Sequence, residues 1–207
     1  MNTLIKFFTI FILFFSSNLF AENNYINISY GITAHDLPVT ATRGTITKDD
    51  DDEGFIVSAG ALLGDSWGID VMYYDLGSSS FKVDALDIIK IDNVDYEAQS
   101  GGTITNDISG YGIGLIGISN TDVISFYIKA GIHSWDKSGS TTILDNDNAF
   151  AGSFYNEGIG GYGGLGIGFN VLENITLNIS YDIIGLSNNA QFDNSSSIFA
   201  GGLIAKF

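Results

Sequence analysis

The chain has no cysteine, a single proline (Pro38), two histidines and only 8 lysines and arginines in 207 residues. Without cysteine there is neither a disulfide framework nor a thiolate-bound metal. Those 8 cations stand against 24 Asp and Glu, for a formal charge of −16. Such a charge repels a phosphate backbone and argues against a nucleic-acid partner. Disorder is disfavoured too, because it needs few apolar residues beside the charge. Here 45% of the residues are hydrophobic and the mean hydropathy is +0.22. What is abundant is glycine, at 26 residues, nearly double the usual share of about 7% and without the collagen period.

Met1 to Ala21 read as a secretory leader: Lys6, an apolar run from Phe7 to Phe15, then small residues up to Ala21. The run is shorter than the roughly 20 apolar residues that span a membrane as a helix. Removal of this leader takes Lys6 with it and leaves 186 residues at a formal charge of −17. The expected division is therefore an exported leader, 1–21, and a single domain, 22–207.

Within 22–207 no segment is long and apolar enough for a membrane helix, but period-2 alternation recurs. In the stretch from Asn174 to Ile183, Ile175, Leu177, Ile179, Tyr181 and Ile183 share one face. Asn174, Thr176, Asn178, Ser180 and Asp182 share the other. Similar runs begin at Tyr25, Phe55, Trp67, Ile108, Val123, Gly158 and Ser197. That makes eight expected strands of about 9–11 residues, long enough to cross a bilayer when tilted. In the run from Ile108 the adjacent apolar pair Leu115 and Ile116 suggests a bulge.

The connections alternate strictly. Short ones lie at Gly64 to Ser66, Ser119 to Asp122 and Leu172 to Asn174; long ones at Ala34 to Glu53, Gly77 to Asp107, Ser134 to Glu157 and Gly185 to Ser196. An antiparallel outer-membrane barrel has this rhythm, with tight periplasmic turns and extended external loops. The four long connections hold 17 of the 24 acidic residues. The second is long enough for a hairpin of its own, between Phe81 to Val83 and Ile88 to Ile91. The third carries Phe150, Phe154 and Tyr155, which suit a contact surface or, more simply, a cap over the barrel mouth.

Parity then assigns faces. Outward aromatics fall near the external end (Tyr30, Phe55, Tyr73, Tyr111, Tyr181, Phe199) and near the periplasmic end (Trp67, Phe169, Phe207). Aliphatic residues lie between, which matches the layering of a bilayer. A soluble eight-stranded barrel of lipocalin type has the opposite polarity. Much of the glycine falls on the lumen side: Gly31, Gly60, Gly68, Gly112, Gly114, Gly131, Gly160, Gly164, Gly166, Gly168 and Gly202. An eight-stranded interior is just wide enough for side chains to fill. These positions therefore leave room for Tyr25, Met72, Tyr74, Tyr127 and Tyr162 rather than lining a pore. Asp70, Lys129, Asp182 and Lys206 also point inward, with His133 near the external end. Charges in so narrow a lumen require pairing, and Lys129 is expected to pair with Asp70 or Asp182.

The segments YYDLGSSSF (73–81), FYIKAGIHSWD (126–136), GYGGLGIGFNVLENITLNISYDI (161–183) and FAGGLIAKF (199–207) resemble the small OmpA-like outer-membrane β-barrel proteins. The resemblance covers the barrel portion and implies a transmembrane eight-stranded antiparallel up-and-down barrel. It also implies that Phe207, an aromatic ending the last strand, is the signal read by the barrel-assembly machinery. A peptidoglycan-binding domain is not implied. The partners expected are the outer-membrane bilayer and its lipopolysaccharide, and the protein is expected to be monomeric and without a cofactor.

Catalytic residues are not legible. His133 and Ser134 are adjacent, so on a strand they face opposite sides and form no dyad. The acidic runs Asp49 to Glu53 and Asp145 to Asn148 have oxygen ligands suited to Ca²⁺ but neither the spacing nor the glycine of a calcium loop. A solvated charge run is the simpler reading. The expected role is structural and surface-interacting, with a narrow channel as the alternative and a lipid-modifying enzyme or protease behind it.

Overall fold

The computed structural model describes residues 24–36, 39–91, 94–99, 101–142, 152–186 and 195–207. The leader reading, Pro38, Phe150 and the run Asp145 to Asn148 lie outside them. Twelve strands are described: β1 (Asn24–Asp36), β2 (Val39–Arg43), β3 (Ile46–Asp49), β4 (Asp51–Leu62), β5 (Trp67–Val83), β6 (Ile88–Ile91), β7 (Val94–Glu97), β8 (Gly102–Asn120), β9 (Ile124–Thr141), β10 (Gly152–Leu172), β11 (Ile175–Gly185) and β12 (Ser195–Lys206). Eight of them pair antiparallel in the order β5-β4-β1-β12-β11-β10-β9-β8, and β8 returns to β5. The barrel is therefore closed, with no sheet edge left at membrane level. Asn24 and Phe207 exchange backbone hydrogen bonds of 3.0 and 2.9 Å where the first and last strands meet.

Side chains alternate as the parity requires. On β1, Tyr25, Asn27, Ser29 and Thr33 are buried inside while Ile28, Tyr30 and Ile32 are more than half exposed on the outer surface. On β11, Thr176, Asn178, Ser180, Asp182 and Ile184 point in, and Leu177, Ile179, Tyr181 and Ile183 point out. A polar interior inside an apolar shell is stable only where the surroundings are hydrocarbon.

Three details of the sequence reading are corrected. The bulge is not at Leu115 and Ile116: pairing with β5 and β9 runs through both without a shift. Ile116 simply points inward, against Tyr25 and Tyr127. Within the barrel the register shifts lie instead at Asp75/Ser78 on β5 and at Asn170/Leu172 on β10. Second, four strands are far longer than 11 residues: β5 has 17, β8 19, β9 18 and β10 21. The Ser- and Thr-rich segments read as loops continue the ladders above the membrane, where a polar strand costs nothing. Third, Phe81 to Val83 do not form a hairpin with Ile88 to Ile91. They pair with β3 and β8, and β6 pairs with β7 and β2.

The result is a lopsided mouth. Above the bilayer β3, β5, β8, β9 and β10 form a wall, and β2, β6 and β7 form a separate small sheet. A second core joins the two: Phe81, Val83, Ile89 and Ala98, with Ile46 and Ile104 against them.

Candidate functional site

The lumen is layered. In its external half Ile56, Met72, Tyr74, Trp135, Tyr162 and Ile198 belong to one buried apolar cluster. In its periplasmic half Tyr25, Ile116 and Tyr127 pack together. Between the two lie the charges. Lys129 Nζ is 2.9 Å from Asp182 Oδ1, and both side chains are buried. Asp70, also buried, accepts a 2.6 Å hydrogen bond from Tyr25 OH through Oδ2. Asn178 donates to Tyr127 OH at 2.9 Å and to Ser29 Oγ at 3.3 Å. Of the four charges assigned to the lumen, three are thus gathered in mid-barrel. Lys206 stands apart at the periplasmic end, half-buried, and has no ion-pair partner among the described residues.

Glycine makes this packing possible. Lys129 on β9 reaches Asp182 on β11 across β10, where Gly164 is the register partner of both. A β-carbon there would lie 2.0 Å from Asp182 Oδ1. Gly60 leaves space for the Tyr25 ring, Gly166 for Tyr127, and Gly114 and Gly131 for Tyr162. Below the mid-barrel charges lies a cavity of about 130 Å³ bordered by Asn27, Ser58, Asp70, Tyr127, Lys129 and Lys206.

Both histidines lie near the external end. His133 Nε2 is 2.8 Å from the Gly185 carbonyl, which can only accept, so Nε2 carries the proton. Its Nδ1 then accepts from Tyr74 OH at 2.6 Å. His35 Nδ1 lies 2.8 Å from Ser196 Oγ, and its Nε2 is 3.4 Å from Thr33 Oγ1. The Thr33 hydroxyl is committed to the Asp52 carbonyl at 3.0 Å, so Nε2–H donates to Thr33 and Ser196 donates to Nδ1. Burial holds the His35 imidazole below its usual titration range, only partly offset by the backbone of Leu76 and the carboxylates of Asp52 and Asp50. The histidines thus grip the two ends of the β11–β12 connection, Gly185 and Ser196.

The His35–Ser196 contact escaped the sequence reading. The two are inward register partners on β1 and β12, 161 positions apart. Closure of the barrel implies that these strands pair, but no sequence signal sets their register. Both side chains are almost fully buried, at 3% and 1% exposure. Among the described residues no carboxylate is hydrogen-bonded to the imidazole; Thr33 takes that place.

The aromatics form two levels. Externally Tyr181 is paired with Phe199, Tyr30 with Phe55 and Tyr73 with Tyr111. The Phe55 and Tyr73 ring centroids are 5.9 Å apart. At the other end Trp67, Phe169 and Phe207 are about half exposed on the outer surface. Above the external level, Tyr155 OH donates to Asp136 at 2.7 Å and Glu157 at 3.2 Å. Tyr155 is 58% exposed on the outside, not folded over the mouth. Among the described residues no three His, Asp or Glu converge as a metal site.

No family model matches the chain, and no curated protein sequence matches it. Solved structures match it in shape. Ail, the attachment invasion locus protein of Yersinia pestis, is 16% identical, with 90% of this chain and 100% of Ail covered and a TM-score of 0.51. Neisserial surface protein A is 17% identical, with 89% and 97% covered and a TM-score of 0.52. OprG from Pseudomonas aeruginosa is 13% identical, with 89% and 96% covered and a TM-score of 0.51. At these identities the likeness is one of fold. The chain has the fold of the small eight-stranded outer-membrane barrels.

Proposed function

We propose that the protein is an integral outer-membrane barrel whose work is done by its external wall. In this reading it supports the envelope and presents an acidic surface to partners, neither conducting nor catalysing. The observation that carries the reading is the external half of the lumen, filled by Met72, Tyr74, Trp135 and Tyr162. A channel would have to displace that cluster. An enzyme would have to expose Ser196 and His35, which are sealed in. Met1 to Ala21 serve as the export leader, Phe207 as the aromatic that the assembly machinery reads, and the folded protein is a monomer.

The partner class follows from charge. Ail was crystallised with the heparin analogue sucrose octasulfate, a polyanion. The wall and the small sheet beside it carry Asp49, Asp84, Asp95, Asp107, Asp136 and Glu157, which repel polyanions. It suits cationic groups, or lipopolysaccharide phosphates bridged by divalent ions. Planar-bilayer recording of the purified barrel tests the reading: no discrete conductance is expected. Stepwise currents from residues 22–207 would overturn it in favour of the channel.

A further inference from the structure

We propose that the lower lumen binds a small monocarboxylate, which enters from the periplasmic end and is anchored by Lys206. The site is the cavity of about 130 Å³ between the mid-barrel charges and the periplasmic turns. Its volume is that of about four waters in the liquid, or of one small organic molecule.

Three observations define the ligand. The first is the charge balance. Two ammoniums, Lys129 and Lys206, border the cavity against one carboxylate, Asp70. Asp70 is already provided for: it accepts from Tyr25 at 2.6 Å and from Ser58, with Lys129 close by. Lys129 is in turn held by Asp182 at 2.9 Å. Lys206 is the cation left over, half-buried and with no ion-pair partner among the described residues. The second is a polar group that suits an anion. Asn178 donates to Ser29 Oγ at 3.3 Å, and Ser29 donates to Asn27 Oδ1 at 3.1 Å. With its oxygen engaged, the buried Asn27 offers its N–H groups to the cavity it borders. Lys206 is the register partner of Tyr25, so Asn27, two positions along β1, is its diagonal neighbour. Such neighbours lie about 7–8 Å apart, a span that one carboxylate bridges between an ammonium and an amide. The third is the lining, where Leu62, Ile116, Ile118 and Ile204 supply apolar wall. A carboxylate head on a short aliphatic body meets all three. One unpaired ammonium matches one negative charge, and Asp70 on the border disfavours a dianion. The packed external half leaves the periplasmic end as the route.

The test titrates the refolded ¹⁵N-labelled protein in nonionic micelles with sodium propionate. Sodium chloride and ethylammonium chloride at equal ionic strength serve as the other arms; the second carries a short aliphatic body with the opposite charge. Saturable amide shifts at Asn27, Ile118 and Ile204 are expected with propionate alone. Lys206→Met should raise the saturating concentration at least roughly tenfold, and Lys206→Arg should restore it. Lys82→Met, in the wall above the bilayer, should leave it unchanged. Ile118→Trp narrows the cavity and keeps every charge, and it should abolish the shifts as well. The proposal fails if propionate produces no saturation, if either other salt produces the same shifts, or if they persist unweakened in Lys206→Met.

Discussion

A β-carbon built on Gly164 would lie 2.0 Å from Asp182 Oδ1 and 3.0 Å from Lys129 Cε. On Gly163, one position along the same strand, the nearest atom is the Lys129 carbonyl oxygen at 3.7 Å. Neighbouring glycines in one strand therefore serve different ends. Alanine at Gly164 must push apart two buried charges, and a buried charge deprived of its partner costs several kcal/mol. Gly164→Ala is expected to cost about 1–3 kcal/mol, the range for overpacking a filled core. Gly163→Ala faces outward and should be neutral or gain up to about 1 kcal/mol by restricting the unfolded chain. Urea unfolding of the two variants in the same micelles measures the difference; equal midpoints would refute it. The lumen position of Gly164 was legible from parity, and so were Lys129 and Asp182. That Gly164 is the register partner of both was not, because a ladder is aligned by turn geometry and bulges that alternation does not specify.

At the scale of the element, β5 shows where legibility stops and why. Inward residues run Gly68, Asp70, Met72, Tyr74 and Leu76, then resume at Ser79, Phe81 and Val83. The phase changes at the register shift between Asp75 and Ser78, where Gly77 has φ +72°. Without the shift Ser78, Ser80 and Lys82 would face the second core and Phe81 and Val83 would face water. The odd spacing from Leu76 to Phe81 was in the sequence. It is hidden in a Ser-rich segment with loop composition, because a polar ladder above a membrane has no hydrophobic signal of its own. The bulge is pinned from β4: Ser78 N donates to Asp52 Oδ2 at 2.6 Å and Ser78 Oγ at 3.0 Å. The Ser78 backbone bond, with one from the Glu53 backbone and that of the Ser78 hydroxyl, holds the Asp52 carboxyl below the usual carboxylate range. A β-carbon at Gly77 would combine a left-handed φ with 2.5 Å and 2.6 Å approaches to Glu53 O and Asp52 Oδ2. Gly77→Val should therefore loosen the wall while the membrane-level barrel persists. The readout is amide exchange: faster at Phe81, Val83 and Ile89, unchanged at Tyr127 and Ile179. Uniform acceleration, or none, would count against the bulge as the hinge of the wall.

On the scale of the molecule, asymmetry in height and charge coincide. The wall strands β5, β8, β9 and β10 carry 17 to 21 residues, against 11 to 13 on β1, β4, β11 and β12. About seven more residues at about 3.3 Å each, tilted near 40°, raise one side of the mouth by roughly 17 Å. Beyond Lys6 the chain has seven basic residues, and five of them (Arg43, Lys48, Lys82, Lys90 and Lys137) lie on this external structure. Of the other two, Lys129 is buried in the lumen and Lys206 borders the cavity at the opposite end. Trypsin, which cuts only after lysine and arginine, therefore reads the orientation directly. Lys48 and Lys82 sit within ladders on both strands, which protects them against local opening. Arg43 ends β2 beside the bend at Gly44, and its side chain is 57% exposed. Trypsin added to intact cells is expected to cut after Arg43 first, leaving the fragment that starts at Gly44 folded in the membrane. Lys129 should stay intact even at long times, because cutting there requires the barrel itself to open. If cleavage at Arg43 appears only after the outer membrane is permeabilised, the wall faces the periplasm and the topology is inverted.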